Sequence, residues 1–353
     1  MLSQALNTGS GTANSASSPP VGGTQRPGGG PIFITASCNL TVSDTGVVSS
    51  KGADPGADLV HLQGGCDVLI NGLVESTGVG HAPPGNPPNS CSNVIPHAGS
   101  VRRNPATRPG KPFNSTACVE VWAGNSLIIN RTIGVGAHNG EINADTGGSG
   151  GAQGTSWIDL FARGDIKILN TTALWAVHAN GKAGTDNGGV VTVKSLGTGP
   201  AASPGNIILN GLALQASAVA HGQGGTVDVE GMLKVDLTKI NVSNVDGKVQ
   251  AKGGSGAPAD HGGHIIIFSQ ANIRAGTASN LNVTGHQNAS PQDGTVVLQA
   301  CGTIDFPPGT ISTGAIVTKS PGSCPPPVAL PTGYLVVLPS CPCGDVCIPC
   351  PPA

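Results

Sequence analysis

The sequence has few aromatic and few charged residues. Phe, Trp and Tyr make up 3% of the 353 residues and Asp, Glu, Lys and Arg make up 10%, whereas glycine (55) and proline (29) are abundant. An average globular domain has about 25% charged residues. The composition therefore argues against a conventional globular core and favours a thin one built from Val, Ile and Ala.

Other absences restrict the partners. The formal net charge is −2 with only 17 Lys and Arg, so we expect neither nucleic acid nor an anionic membrane surface as a partner. No run reaches the roughly 18 apolar residues of a membrane-spanning helix. The first residues have no basic region or apolar core of a signal peptide. We expect a soluble or peripherally held protein, either with its leader missing from this sequence or exported by another route.

Sequence motifs of common enzyme classes are also missing. The chain has no phosphate-binding loop and no His-Glu-x-x-His motif, and its one Gly-x-Ser-x-Gly match, at 147–151, lies in a glycine-rich stretch with no helix pattern after it, so it is not a nucleophile elbow. We therefore predict that the protein is not an enzyme, that it has no catalytic residues and that it needs no cofactor.

What the chain does contain is one strand-like unit in eight copies. The first inward apolar residue of each copy, its origin, is Ile32, Val60, Val119, Ile158, Val191, Val227, Ile265 or Val296. Two residues later every copy is apolar again, and four residues later every copy has Ala, Gly or Ser. Alternation with period two is the pattern of a strand with one buried face. Units repeated at intervals of 28 to 59 residues predict a solenoid, in which each coil buries its apolar face against its neighbours.

Short glycine phrases accompany the repeat. They are G-N-I-I-L at 205–209, G-D-I-K-I at 164–168, and G-G-x-V at 188–191 and 224–227. Over about residues 31–305 the chain resembles the right-handed parallel β-helices of bacterial surface proteins, notably filamentous-haemagglutinin-type adhesins. The resemblance is one of architecture, and it carries no catalytic residues across. The expected fold is all-β, a right-handed parallel β-helix of about eight coils with extended N- and C-terminal segments.

Composition divides the chain into three parts. Residues 1–30 form a Gly/Ser-rich N-terminal arm of a composition that normally means a flexible segment. Residues 31–323 form the solenoid, with an insertion loop at 81–116. Residues 324–353 form a Pro/Cys-rich tail that contains one predicted strand at 334–338.

Ten cysteines without a redox motif indicate an oxidising compartment, so we expect an extracellular or cell-surface location. The stacked coils place Cys38 beside Cys66, and we predict disulfides Cys38–Cys66, Cys91–Cys118 and Cys301–Cys324. The last four cysteines are expected to pair among themselves or across subunits, although their spacing also fits a zinc site. These are Cys341, Cys343, Cys347 and Cys350.

Two groups of residues are candidates for a subunit interface or a glycan site. Trp122, Trp157 and Phe161 are expected to lie on the outer face of neighbouring coils, as an exposed patch beside the carboxylates of Glu120 and Asp159. Cover by the insertion loop is the alternative. The second group is the tail strand, composed of Tyr334, Leu335, Val336, Val337 and Leu338. Glu120 and Asp159 are also the one carboxylate pair that a polysaccharide-degrading enzyme would use, but no Lys or Arg accompanies them in their column.

Histidines and sequons supply the remaining candidates. A column of histidines includes His138 and His178, which are weak metal-ligand candidates because no coil adds a second ligand at motif spacing. Asn-x-Ser/Thr sequons permit glycosylation. The candidate asparagines are Asn39, Asn114, Asn130, Asn170, Asn241 and Asn282.

These features predict a structural subunit that polymerises head to tail with other copies into an extracellular filament or sheath. Terminal strand exchange and disulfides would join the subunits. The alternative is a surface adhesin or glycan-binding solenoid with a cell-surface glycan as partner, and an enzyme that degrades polysaccharide is less favoured.

Overall fold

The computed structural model describes residues 5–8, 32–36, 38–53, 59–79, 117–131, 140–145, 156–181, 187–197, 204–219, 221–240, 245–254, 260–285, 293–312 and 315–325. These residues form 25 β-strands and no helix. In this part of the chain there is accordingly no helix long and apolar enough to cross a membrane. The strands form three parallel sheets whose members follow one another in chain order, which is the topology of a right-handed parallel β-helix.

Each coil contributes one strand to each sheet in turn. Sheet one contains β2 (Ile32–Ala36), β5 (Leu59–Gly64), β8 (Cys118–Ala123), β11 (Trp157–Ala162), β14 (Val190–Ser195), β17 (Thr226–Gly231), β20 (His264–Ser269), β23 (Thr295–Ala300) and β25 (Ile316–Pro321). Sheet two contains β3 (Leu40–Val42), β6 (Val68–Ile70), β9 (Leu127–Arg131), β12 (Ile166–Asn170), β15 (Ile207–Leu209), β18 (Val235–Asp236), β21 (Ile273–Arg274) and β24 (Ile304–Asp305). Sheet three contains β1 (Ala5–Thr8), β4 (Val47–Ala53), β7 (Leu73–Val79), β10 (Glu141–Asn143), β13 (Val177–His178), β16 (Leu212–Gln215), β19 (Lys248–Gln250) and β22 (Asn280–Asn282).

The predicted register of sheet one is confirmed. All eight origins are buried, and each pairs in register with the next, from Ile32 with Val60 to Ile265 with Val296. In the fifth copy, whose origin is Val191, the strand of sheet two starts at Ile207, and Ile207 pairs in register with Ile166 and Val235. The core is therefore a continuous column of Val, Ile, Leu and Ala along the solenoid axis.

Small residues at the fifth position of each unit mark the corner where sheet one turns into sheet two. A Cβ added at Gly64 would lie 2.7 Å from Cγ2 of Val68, and one at Gly231 would lie 3.0 Å from Cγ2 of Val235. Both distances are shorter than nearly all contacts of real Cβ atoms, so the corner has no room for a large side chain.

The G-G-x-V phrases mark the corner that precedes sheet one. There the backbones of successive coils approach so closely that a Cβ at Gly225 would lie 1.9 Å from the carbonyl oxygen of Gly189. A Cβ at Gly263 would lie 2.0 Å from the carbonyl oxygen of Gly225. Glycine stacks on glycine here because any side chain would separate the coils.

Side chains extend the hydrogen bonding around the corners between sheets. After sheet one, Oδ1 of Asp67 accepts from the backbone N–H of Ser126 at 3.0 Å, and Oδ1 of Asp165 accepts from that of Asn206 at 2.8 Å. After sheet three, Oδ1 of Asn180 accepts from the backbone N–H of Ser217 at 2.9 Å. Each bond joins one coil to the next, so backbone groups remain satisfied where the strands end.

The structure adds two strands to the predicted set. β25 forms a ninth strand of sheet one, with Val317 paired to Val296. Within the N-terminal arm, β1 pairs with β4, from Ala5 with Val47 to Thr8 with Ser50. Composition predicted a flexible arm, but the free edge of β4 offers backbone partners that composition does not reveal. The predicted tail strand at 334–338 and the insertion loop at 81–116 lie outside the described residues.

Candidate functional site

The outer face of sheet one carries the aromatic and acidic residues that the sequence singled out. Asp159 on β11 pairs in register with Glu120 on β8, and Phe161 pairs with Trp122. The rings of Trp122 and Phe161 stack with centroids 4.7 Å apart and planes 24° apart. Adjacent coils therefore bring these four side chains together as predicted.

Glu120 is the centre of a hydrogen-bonded group on this face. Its Oε1 accepts from Nε1 of Trp122 at 2.8 Å, and its Oε2 lies 2.8 Å from Nδ1 of His61 on β5. The ring of Phe33 lies beside that of His61, with centroids 5.9 Å apart. Both oxygens of the buried carboxylate are thus engaged by neighbouring side chains, an arrangement that suits a structural role better than an attack on a polysaccharide.

The expectation of an exposed aromatic patch is wrong. Trp122 is 4% exposed and Phe161 is 0% exposed, while Trp157 is half-buried against Leu59 and Cys118. Large aromatic side chains that stack on a sheet face gain stability by leaving water. The stacked rings consequently offer no open platform on which a sugar could lie.

A second charged group follows on the next two coils. Nζ of Lys194 lies 2.6 Å from Oε1 of Glu230 and 3.5 Å from Oδ2 of Asp228. Burial, and then the negative charge of Glu230, raise the pKa of Asp228 to about 6, against an opposing effect of Lys194. Because Phe161 pairs in register with Lys194, this cation lies one coil from the aromatic stack, in a different column from Glu120 and Asp159.

The outer face of sheet three carries a third charged group, centred on His178. Nδ1 of His178 lies 2.9 Å from Oδ2 of Asp145, and its Nε2 lies 2.9 Å from Oε1 of Glu141. Nη1 of Arg131 donates to the other oxygen of Glu141 at 2.8 Å. Two carboxylates therefore bracket one buried imidazole.

The contacts among these side chains shift the pKa values of His178 and Glu141. Burial would lower the pKa of His178, but the hydrogen bonds and charges of Asp145 and Glu141 outweigh burial and raise that pKa from 6.5 to about 9. Burial would raise the pKa of Glu141, but His178 and Arg131 lower it below its ordinary value. The imidazole is consequently a cation at neutral pH.

Sequence reasoning missed the partners of His178 because they lie 33 and 37 residues earlier, on the preceding coil. Within the coil of His178 no second ligand stands at motif spacing. With both ring nitrogens facing carboxylates, a protonated His178 cannot ligate a metal ion. The described residues contain no group of three or more His, Cys, Asp or Glu side chains arranged to hold one, and His138 lies outside them.

The structure argues against one of the predicted glycosylation sites. Asn170 is 0% exposed, and its Nδ2 donates to the carbonyl oxygens of Leu174 at 2.6 Å and Leu212 at 2.7 Å. A sugar on that nitrogen would leave one N–H, so one of the two bonds would be lost, and the fully buried side chain has no space for a sugar. Asn39 is exposed, and Asn130 and Asn282 are half-buried, so these three remain candidates, while Asn114 and Asn241 lie outside the described residues.

The cysteine predictions were tested in part. The disulfide Cys301–Cys324 is present. Cys38, Cys66 and Cys118 are each disulfide-bonded, and the backbone N–H of Cys66 donates to the carbonyl oxygen of Cys38 at 3.0 Å across adjacent coils. The pairings Cys38–Cys66 and Cys91–Cys118 stay predictions. Cys91, Cys341, Cys343, Cys347 and Cys350 lie outside the described residues.

The two ends of sheet one differ in chemistry. At the N-terminal end, β2 pairs with β5 on one side and with no described strand on the other, and Phe33 is 54% exposed. At the C-terminal end, β25 exposes Ile316 (66%) and Val317 (40%), but it also carries Lys319 and ends at Pro321. Among the described strands, the N-terminal end therefore presents an uncovered apolar edge, whereas the C-terminal end has a charge and a proline.

Comparison with protein families, with curated proteins and with solved structures found no match for this chain. The geometry of the chain is therefore the basis for any assignment of function.

Proposed function

We propose that the protein is a structural subunit that assembles head to tail into an extracellular filament or sheath. The observation that carries this proposal is the edge of β2 that no described strand covers, where Phe33 is 54% exposed and Thr35 is also exposed. A free strand edge is a template for another chain, and natural monomers usually cover or charge such an edge. Coils that already stack in register provide a surface on which a further strand continues the same pattern.

The extracellular location in this proposal is supported by the cysteines. Five described cysteines, Cys38, Cys66, Cys118, Cys301 and Cys324, are in disulfides. Disulfides persist in oxidising compartments and are rare in the cytosol. They would also hold the coils and any joint between subunits against denaturation.

The resemblance to filamentous-haemagglutinin-type adhesins supports a second candidate, a glycan-binding surface protein. The observation in its favour is the row of aromatic and acidic side chains on the outer face of sheet one. The burial of Trp122 and Phe161 weighs against it, because sugar-binding aromatic rings must be accessible. We therefore place it second, and an enzyme that degrades polysaccharide third.

Electron microscopy of the purified full-length protein under oxidising conditions tests the main proposal. We expect unbranched filaments about as wide as one solenoid. Uniform single particles, together with a glycan-array signal that disappears in a Trp157→Ala variant, would favour the adhesin instead. Trp157 is the informative position because it alone of the three aromatic residues is half-buried rather than buried.

A further inference from the structure

The free edge of β2 presents backbone groups that are ready to bond another strand. Along a strand of sheet one, backbone groups bond alternately to the preceding coil and to the following coil. The N–H of Trp157 donates to the carbonyl oxygen of Ala117 on the preceding coil. The carbonyl oxygen of Ala36 accepts from the N–H of Gly65 on the following coil. By this alternation the N–H and C=O groups of Phe33 and Thr35 point away from β5. They form the acceptor edge, defined as the outer side of residues Ile32–Ala36.

The opposite end of sheet one is protected against the same reaction. Lys319 stands in the inward column, paired with Leu298, so a strand added beyond β25 would bury its charge in the core. Pro321 has no N–H at a position where the alternation would direct one to the free side. Inward-pointing charged residues and prolines are common in edge strands of natural sheets, where they prevent pairing with strands of other molecules. Direct stacking of one C-terminal end on the next N-terminal end is therefore disfavoured.

The connector must then be a segment beyond the last described strand or the N-terminal arm. The arm already supplies β1 to sheet three of its own chain. The tail segment, residues 334–338 (Y-L-V-V-L), is apolar, is bounded by Pro331 and Pro339, and has the same five-residue length as β2. It matches the acceptor edge in length and in β-forming character.

The length of chain after Pro325 favours the acceptor edge of a second copy over that of the same chain. The carbonyl oxygen of Pro325 accepts from Nε2 of Gln270 at 2.6 Å, and Gln270 directly follows β20. The sheet order places the empty position beyond β2 seven strand steps from β20, which is about 34 Å at about 4.8 Å per step. The nine residues from Pro325 to Tyr334 span at most about 32 Å when fully extended. The prolines at 326 and 327 shorten this reach further.

From these observations we propose that the tail segment of one copy adds as a strand to the acceptor edge of a second copy. This inference rests on the proposed function and specifies its joint: growth is polar, and of the two end strands in the described part of sheet one, β2 accepts a strand and β25 does not. The disulfide Cys301–Cys324 anchors the start of each tail on the donating end.

The test uses two full-length variants that each lose one half of the joint. Thr35→Pro removes an outward N–H from the acceptor edge while the bonds between β2 and β5 remain, because proline is tolerated where a strand's N–H faces outward. The double variant Leu335→Pro and Val336→Pro removes donors from both edges of the tail segment. Val317→Pro is the matched control, since it removes an outward N–H at the protected end.

Light scattering gives the expected result. Each joint variant alone should lose at least tenfold in association constant and remain monomeric under conditions in which the unmodified protein polymerises. A 1:1 mixture of the two should form heterodimers and nothing longer. Thr35→Pro keeps an intact tail segment, and the double proline variant keeps an intact acceptor edge, so one joint can form per pair. Val317→Pro should polymerise as the unmodified protein does. Circular dichroism and thermal unfolding establish that each variant is folded.

The contrary outcomes separate the joint from the function. If Thr35→Pro polymerises normally, or the mixture stays monomeric while the unmodified protein forms filaments, the proposed joint is wrong and the filament proposal stands. If Val317→Pro stops polymerisation, the protected end takes part and the one-sided joint is wrong. If the unmodified protein never associates, both proposals are wrong.

Discussion

Lys319 on β25 lies directly across from Leu298 on β23, so a lysine continues an inward column whose other members are all apolar. Its Nζ lies 5.8 Å from the ring centroid of Phe306, and the residue is exposed because no described strand follows β25. The charge of Lys319 stays in water while β25 is the last strand, so its free-energy cost is small. Another strand on β25 would bury the charge, and the free-energy cost would then be large. Lys319 therefore disfavours a further strand beyond β25, the last described strand of sheet one.

The first prediction follows from this position of Lys319. Lys319→Val should allow strands to pair with β25 and should increase end-to-end association at least tenfold, measured by light scattering across a concentration series. Lys239→Val is the control, since it makes the same charge change at an exposed position away from either edge of sheet one. Equal association of both variants would show that net charge, and not the edge, controls the effect.

The second prediction concerns the pH dependence that His178 creates. Its pKa is raised from 6.5 to about 9, so its stabilising contribution is complete below pH 6.5 and is lost as the pH rises toward 9. His178→Gln should lower the free energy of unfolding by about 3 kcal/mol at pH 6, because two carboxylates lose their cation, and by less at pH 9. Chemical denaturation at several pH values measures both.

His264→Gln is the matched control for that experiment, because His264 is exposed and its ring bonds to the neutral Oγ1 of Thr295 and not to a carboxylate. Its effect on stability should be within about 0.5 kcal/mol at every pH. A stability profile of His178→Gln parallel to that of the unmodified protein between pH 6.5 and 9 would contradict the proposed bracket of carboxylates.

The third prediction concerns Asp228, whose pKa is raised from 3.8 to about 6 by burial and by Glu230. A carboxyl with a raised pKa stabilises the fold below pH 4, and that contribution is lost as the pH rises through 6. Asp228→Asn should therefore be more stable than the unmodified protein at pH 7, by on the order of 1–3 kcal/mol. Asp305→Asn, at an exposed position, should change little, and a loss of stability in Asp228→Asn would show that the ion pair with Lys194 dominates.

The fourth prediction tests the close approach of coils at the glycine corner. Gly263→Ala should destabilise the fold by about 3 kcal/mol, since its Cβ would lie 2.0 Å from the carbonyl oxygen of Gly225. Gly309→Ala is the contrast: nothing lies within 4 Å of its Cβ, and only its positive φ of 81° is strained, at a cost of about 1 kcal/mol. Thermal unfolding that shows equal losses would indicate that coil spacing adapts to a methyl group.

The register of the solenoid was predictable because it depends on a local pattern. Apolar residues at the origins and small residues four positions later recur within each copy, so one copy predicts the next. The ninth strand of sheet one, β25, was missed because Lys319 breaks that pattern, and β1 was missed because its sequence is short and lies in a Gly/Ser-rich segment.

The charged groups were not predictable by the same reasoning because their partners lie on different coils. His61 and Glu120 are 59 residues apart, and Lys194 and Glu230 are 36 apart. Such pairs become predictable once the register is known, because the register shows which side chains lie side by side on adjacent coils. The alternating pattern shows which residues face outward, but it does not show what packs on the outer face. The burial of Trp122 and Phe161 was therefore not predictable from it.

Sedimentation velocity of the full-length protein, over a hundredfold range of concentration under oxidising conditions, tests the central claim of head-to-tail assembly most directly. We predict a distribution of species that moves to higher mass as the concentration rises, in whole multiples of the 34.7 kDa chain. A single 34.7 kDa species at every concentration would contradict the claim.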